Sequence, residues 1–477
     1  MTTRKTKIVA TLGPATRKPG VLKKLLQTGV NVCRINCSHS DARSIRAEIA
    51  KVRRTAIEID KSVAILLDLQ GPKIRVGKME EPLVLNRGSL LEIVMDNQLV
   101  GTGQRCGTSY LTLADEVKPG QLILFADGAL SGVIESVHHD REPAEVHVRM
   151  KFGGALGSNK GMNLPGASLA APCLTEKDRA DLIVGVDAGV DYVALSFVRQ
   201  PEDVIELKEI LEARGHADIP VISKIERQEA VEDMEAILKV TDGIMVARGD
   251  LGVELPLETI PLHQKSLIRQ ANQQGRLVIT ATQMLDSMER NPRPTRAETT
   301  DVANAVLDGT DAIMLSGETA AGDHPIEAVR VMDRIAREVE GSKFFTSPSA
   351  EDLPVHQERG YTIAHASTTA LQDGSPLVVF TWSGLSAIVA SKFRPSGPIY
   401  ALAPSQAVCD RLALAWGVTP FLVPEVQSTD ELIEYGEKML LDKGNIKAGE
   451  RVVVLAGSSP MKGATNLLKI LIAGEEQ

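Results

Sequence analysis

Aromatic residues make up only 3% of the 477-residue chain, too few for a platform on which nucleobases stack. Positive charge is not in excess either: 53 Lys and Arg stand against 62 Asp and Glu, a formal net charge of −9. That balance excludes a broad electrostatic footprint for nucleic acid or an anionic membrane, but not a compact basic pocket for one phosphate. Cysteine is scarce. Cys33, Cys37, Cys106, Cys173 and Cys409 are an odd, scattered set without the paired spacing of a zinc site, so reduced thiols in a cytoplasmic protein are expected. No uncharged apolar run approaches the ~20 residues of a membrane-crossing helix, and the opening MTTRKTKIVATLG carries no signal-peptide cleavage pattern. GxGxxG and GxxxxGK followed by Ser or Thr are missing too. A Rossmann turn and a P-loop are therefore ruled out as phosphate sites.

What is present is alternation. Hydrophobic residues reach 43% and charged residues 24%, a composition for large cores under a normal polar surface. Short β-branched runs recur between helical patterns, the signature of a parallel α/β sheet. The runs are TKIVATLG (6–13), VNVCRINC (30–37), VAILLDL (63–69), DYVALSF (191–197), PVISKIE (220–226), DGIMVARGD (242–250), LVITATQM (277–284) and DAIMLSGE (311–318). Eight β/α units predict a closed (β/α)8 barrel, the TIM barrel, rather than an open doubly wound sheet. Residues 1–71 and 172–341 together come close to the ~250 residues such a barrel takes.

The stretch 72–171 has another character. LVLNRGSLLEIVM, GQLILFADG, GVIESV and AEVHVRM are short alternating strands broken by Gly, Asp and Pro, an all-β insertion read as a small β-barrel. It leaves from the end of the third strand and so sits over the barrel mouth, where a mobile lid is expected and a static decoration is the alternative. A polar linker, SKFFTSPSAEDLPVHQERG, precedes a second α/β alternation that assigns 342–477 to a C-terminal domain. Its strands are expected at LVVFTWSG, PIYALAP, VTPFLVP and RVVVLAG.

Catalytic groups of such a barrel gather at the C-terminal ends of the strands. Here those ends carry Arg34, Asn36, Ser38 and His39, then Asp68 with Lys73 and Arg75, then Ser196, Lys224, Glu226, Arg248, Gly249, Asp250, Thr282, Gln283, Ser316 and Glu318. Glu226 and Asp250 end adjacent strands, so their carboxylates can converge on one hard cation, Mg²⁺ or Mn²⁺. The competing reading pairs each acid with an Arg. Lys224 alternates with Glu226 across Ile225 and points to the same side of the strand. A Lys inside a barrel needs an anionic partner, and a phosphoryl group in transfer is one. Alone, it fits a Schiff-base lysine equally well. The turn Ala247–Gly252 lets backbone N–H groups approach an anion at a helix N-terminus.

Taken together, the strings KIVATLGPAT, NVCRINCSHS, LLDLQGPKIR, NKGMNLPG, LTEKD, ALSFVR, ISKIER, DGIMVARGDLGVE, ATQMLDSMERNPRPTRAE and DVANAVLDGTDAIMLSGETAAGDHP closely resemble pyruvate kinase over nearly the whole chain. The resemblance implies transfer of the phosphoryl group of phosphoenolpyruvate to ADP, giving pyruvate and ATP, with Mg²⁺. It implies that Lys224 stabilises the phosphoryl group, that Glu226 and Asp250 hold the metal, and that Thr282 and the backbone at Gly249 and Asp250 grip the substrate carboxylate. Thr282 would also belong, with Ser316, to the polar network that helps protonate the enolate; Arg34 and Arg75 would contact phosphates. Pro14, Asn36, His39 and Lys160 would face the nucleotide, Lys160 reaching in from the insertion. The family is usually a homotetramer, with Arg296 near an interface between barrels.

One departure stands out. Many members of the family need K⁺ near Asn36, Ser38 and Asp68 and carry Glu where this chain has Lys73. They also tend to have Thr-Lys where this chain has Leu69-Gln70. An ammonium can supply the charge K⁺ would bring, so activity without added K⁺ is expected; a solvated turn lysine is the alternative. Thr381, Ser383, Gly384 and Ser386 in FTWSGLSA match the region where the family binds phosphorylated sugars or nucleoside monophosphates, and a sugar monophosphate is the expected effector. Trp382 and Leu385 stand where polar or basic residues are common, and a vestigial site is the alternative. Two rival readings are an aldolase-like or mutase-like enzyme of pyruvate chemistry, and a catalytically silent metabolite sensor. The first leaves Arg34, Arg75 and the lid without a role; the second would be expected to lose Lys224 or a metal acid.

Overall fold

The computed structural model describes residues 4–167, 170–346, 353, 359–372, 374–425, 428–457 and 465–475. Most of the expected linker, including 347–352 and 354–358, lies outside them. Eight strands close a barrel: Lys7–Thr11, Val32–Asn36, Ala64–Asp68, Tyr192–Leu195, Val221–Ile225, Gly243–Ala247, Leu277–Ala281 and Ala312–Leu315. All eight pairings are parallel, and the eighth strand returns to the first, with Lys7 opposite Ala312. Each strand is almost wholly buried, because one side fills the barrel and the other packs under the helices. The helix expected after strand one runs Val21–Thr28 and stops at Gly29, which caps it with φ 132° and returns its N–H to Leu25.

Between strands three and four the chain forms the β domain that the alternating pattern announces. A six-stranded sheet pairs Leu90–Val94, Arg105–Gly107, Leu122–Phe125, Leu130–His138, Glu145–Phe152 and Met162–Asn163, and a two-stranded ribbon pairs Leu83–Leu85 with Gly154–Leu156. This domain keeps its own core around Leu91, Ile93, Phe125, Val146 and Val148.

The C-terminal sheet holds one strand more than expected. Leu377–Phe380, Ile399–Ala403, Val418–Leu422 and Arg451–Gly457 pair in parallel, and Thr465–Ile472 adds an antiparallel edge. The sheet meets the N-terminal end of the barrel through a buried charge cluster. Asp311, just before strand eight, accepts from Lys392 and, at 2.9 Å, from Arg394, and both ionic side chains on the C-terminal side are all but fully buried. All five cysteines are free and buried.

Candidate active site

Lys224 sits at the centre of the mouth. Its ammonium donates to Ser196 Oγ at 2.7 Å and lies 2.9 Å from Glu226 Oε1 and 3.3 Å from Asp68 Oδ1. Burial pulls its pKa down, but Asp68 and Glu226 outweigh that and hold Lys224 above the ordinary lysine range. Asp68 takes a second cation, Arg34 Nε at 2.5 Å, while another nitrogen of Arg34 donates to Thr11 Oγ1 at 3.0 Å. Burial pushes Asp68 up, and Arg34 and Lys224 pull it down to a net lowering. The result is a buried ionic network in which Asp68 braces both Lys224 and Arg34.

Glu226 is 1% exposed, and its second oxygen accepts the Phe197 N–H at 2.8 Å. Burial raises its pKa, and Asp250 raises it further against Lys224. A buried acid whose pKa is raised by burial and by a second carboxylate marks a place where a cation is favoured. Asp250 stands in the first turn of the helix Arg248–Glu254, which follows the strand Gly243–Ala247, the neighbour of the strand Val221–Ile225 that leads into Glu226.

Thr282 follows strand seven with φ 70°, and Gln283 with φ 54°. A β-branched residue in the left-handed region is strained by ~1–3 kcal/mol and needs surroundings that hold it there. Arg248 does so: its guanidinium donates to the carbonyls of Ala281 at 3.2 Å and Thr282 at 2.7 Å and pairs with Asp301 at 2.6 Å. The strained turn points Thr282 Oγ1 at the Gly249 N–H, 2.7 Å away. The Ser316 N–H is capped by Glu318 Oε2 at 2.6 Å, and Glu318 also accepts from Leu285 N–H at 3.0 Å.

The other expected residues ring this centre. Asn36 Oδ1 caps the Ser38 N–H at 3.1 Å, His39 and Pro14 are exposed, and Arg75 donates to Asn159 O at 3.0 Å across an isolated bridge to Gly161. Lys160 is exposed on the insertion and Arg296 on its helix. Lys73 does not contact Asn36, Ser38 or Asp68. Its ammonium lies 3.4 Å from both Asp250 and Asp127. Asp127, a residue of the β domain with φ 55°, was not among the sequence candidates. Its FADG turn signals only a hairpin, so nothing local announces a contact with Lys73. In the C-terminal domain, Thr381 Oγ1 accepts the Gly384 N–H at 3.0 Å, Gly384 opens the helix Leu385–Lys392 with φ 87°, and Ser386 shares a hydrogen bond with Thr465.

Comparison with known proteins adds the decisive observation. Residues 3–329 match the family described as pyruvate kinase, barrel domain, and 362–471 match pyruvate kinase, alpha/beta domain. The chain belongs to the pyruvate kinase family. Among its relatives, the Bacillus licheniformis pyruvate kinase is 44% identical over 478 residues, covering 99% of this chain and 81% of that protein. The Clostridium acetobutylicum pyruvate kinase is 42% identical over 474 residues, 98% of this chain and 99% of that one. A crystal structure of a pyruvate kinase from Cryptosporidium parvum superposes with a TM-score of 0.89 at 34% identity, covering 98% of this chain and 96% of that chain. The chain is thus a phosphotransferase with pyruvate kinase activity. That activity implies phosphoenolpyruvate and ADP as substrates and pyruvate as product. Among the described residues no helix is long and apolar enough to cross a membrane.

Proposed function

We propose that Lys224, Glu226, Asp250 and Thr282 divide the pyruvate kinase reaction among them at the barrel mouth. The observation that carries this reading is the Lys224 ammonium, fully charged inside the barrel between Asp68 and Glu226. It is placed to receive the equatorial oxygens of a phosphoryl group in flight, where a fixed cation lowers the barrier without reorganising. Arg34, held rigid by Asp68 and Thr11, orients the phosphate, and Arg75 contacts it from the insertion side. The Gly249 and Asp250 backbone and Thr282 Oγ1 bind the substrate carboxylate. Thr282 and Ser316 belong to the polar network that delivers a proton to the enolate carbon.

Glu226 and Asp250 fit a hard divalent cation: both are oxygen donors from neighbouring strands, and one of them is buried beside the other's charge. Mg²⁺, or Mn²⁺, would be held there and would supply charge neutralisation to the phosphate. Pro14, Asn36, His39 and Lys160 form the nucleotide side, and 72–171 acts as a mobile lid over 1–71 and 172–341.

Lys73 supports activity without added K⁺. It brings a permanent positive charge to the mouth, 3.4 Å from Asp250, where it does part of what a monovalent cation would do. The C-terminal domain, 342–477, would take a sugar phosphate, or a nucleoside monophosphate, at the anion-accepting turn of Thr381, Ser383, Gly384 and Ser386. Cytoplasmic location and a homotetramer with Arg296 near a barrel interface complete the reading.

The test is pyruvate formation from phosphoenolpyruvate, ADP and Mg²⁺, with K⁺ or with a bulky organic cation. Lys224→Met is expected to lose turnover at least 10³-fold, on the order of 4 kcal/mol of barrier. Equal rates in the two salts support the role of Lys73, and a large K⁺ requirement removes it. A Lys224→Met enzyme that retains turnover overturns the central assignment.

A further inference from the structure

Arg227 directly follows Glu226 and is 9% exposed. Its guanidinium reaches in two directions. One terminal nitrogen donates to Glu254 Oε1 at 3.0 Å; the other donates to the carbonyl of Ala167 at 3.0 Å and to Glu229 at 3.3 Å. Ala167 lies on the return crossing from the β domain to the barrel. Glu254 closes the helix Arg248–Glu254, which carries Asp250 in its first turn. One planar side chain therefore joins the segment after Glu226, the helix of Asp250 and the root of the insertion.

We propose that Arg227 is a positioning residue that sets how the inserted β domain seats over the reaction centre. It clamps the return crossing to the two elements bearing Glu226 and Asp250. The inference rests on reading 72–171 as a lid and those acids as metal ligands. A guanidinium suits the task, because its rigid fork serves a carboxylate and a carbonyl at once. A lysine carries the same charge but offers one point, so it keeps Glu254 company and releases Ala167. Loosening the root would let the lid, with Lys160 and Asp127, sample poses in which the nucleotide side is incomplete. Acting through the elements it ties together, Arg227 is expected to affect turnover rather than substrate affinity.

The test is Arg227→Lys in the full-length enzyme, read three ways. The expected result is a melting temperature within a few degrees of the parent, amide exchange at Met162 and Ala167 at least tenfold faster, and kcat down about tenfold with KM for phosphoenolpyruvate within threefold. Parental exchange and turnover in that variant overturn the proposal. So does a turnover loss that tracks lowered melting temperature with exchange unchanged, since that marks a structural ion pair only. Should Arg227→Lys not fold, Arg227→Met with Glu254→Met removes the charge pair together and must show the same exchange and kcat changes. The metal reading fails separately: if Glu226→Gln keeps the parental Mg²⁺ dependence, that assignment falls, while the exchange result still decides the clamp.

Discussion

At the scale of single residues, the chain buries cations and settles each differently. Lys224 keeps its proton because two carboxylates face it. Lys7, at the start of strand one, is also buried, but among the described residues its ammonium donates only to the Val418 carbonyl, at 2.7 Å. Burial lowers its pKa to about 7, with Arg4 and Lys61 adding to the fall. The sign follows. Below about pH 7 Lys7 is charged in both states and the folded protein carries the full burial penalty. As pH rises from there toward the ordinary lysine value, the unfolded chain holds more protons than the native one, so stability increases. Urea unfolding at pH 7 and pH 9 should show Lys7→Met levelling that rise by on the order of 2 kcal/mol. An unchanged slope rejects the assignment. None of this shows in the string TKIVATLG, which reads only as a strand. Lys224 and Glu226 were legible because alternation puts them on one side of a strand end. Asp127 was not, since 54 residues separate it from Lys73.

At the scale of elements, the eight barrel strands were readable because each is a short buried run between helical patterns. The antiparallel edge strand was not. Thr465–Ile472, TNLLKILI, spaces its leucines and isoleucines as a helix would and offers little alternation, so local pattern cannot tell the two apart. The turn after strand one shows how closely the elements abut. A Cβ on Gly13 would lie 2.6 Å from the Ala320 carbonyl and 2.9 Å from the Ala320 Cβ. The first contact is backbone, which cannot swing aside. Gly13→Ala should therefore push the Pro14 turn and the helix Gly317–Ala320 apart, costing about 1–3 kcal/mol. Because Ser316 immediately precedes that helix, kcat should fall along with the urea midpoint; a variant as stable and active as the parent would contradict the packing.

At the scale of the whole molecule, the barrel and C-terminal domain are joined by charge as well as by apolar contact. Asp311 is held below the usual carboxylate range because Lys392 and Arg394 outweigh its burial. Lys392→Met leaves Arg394 alone to balance Asp311 and should cost about 3 kcal/mol, measured by calorimetry, with the two domains beginning to melt apart. A single unshifted transition would show that the apolar interface suffices. The cysteines, finally, turn the fold into its own reporter. Burial pushes the thiols of Cys33, Cys106 and Cys409 up to about 12, so the native protein is nearly inert to an alkylating reagent. Cys33, Cys37 and Cys173 lie in the barrel core, Cys106 in the insertion and Cys409 in the C-terminal domain. Each unit thus carries a latent label of its own, and the order in which a maleimide collects them would time which part of the enzyme opens first.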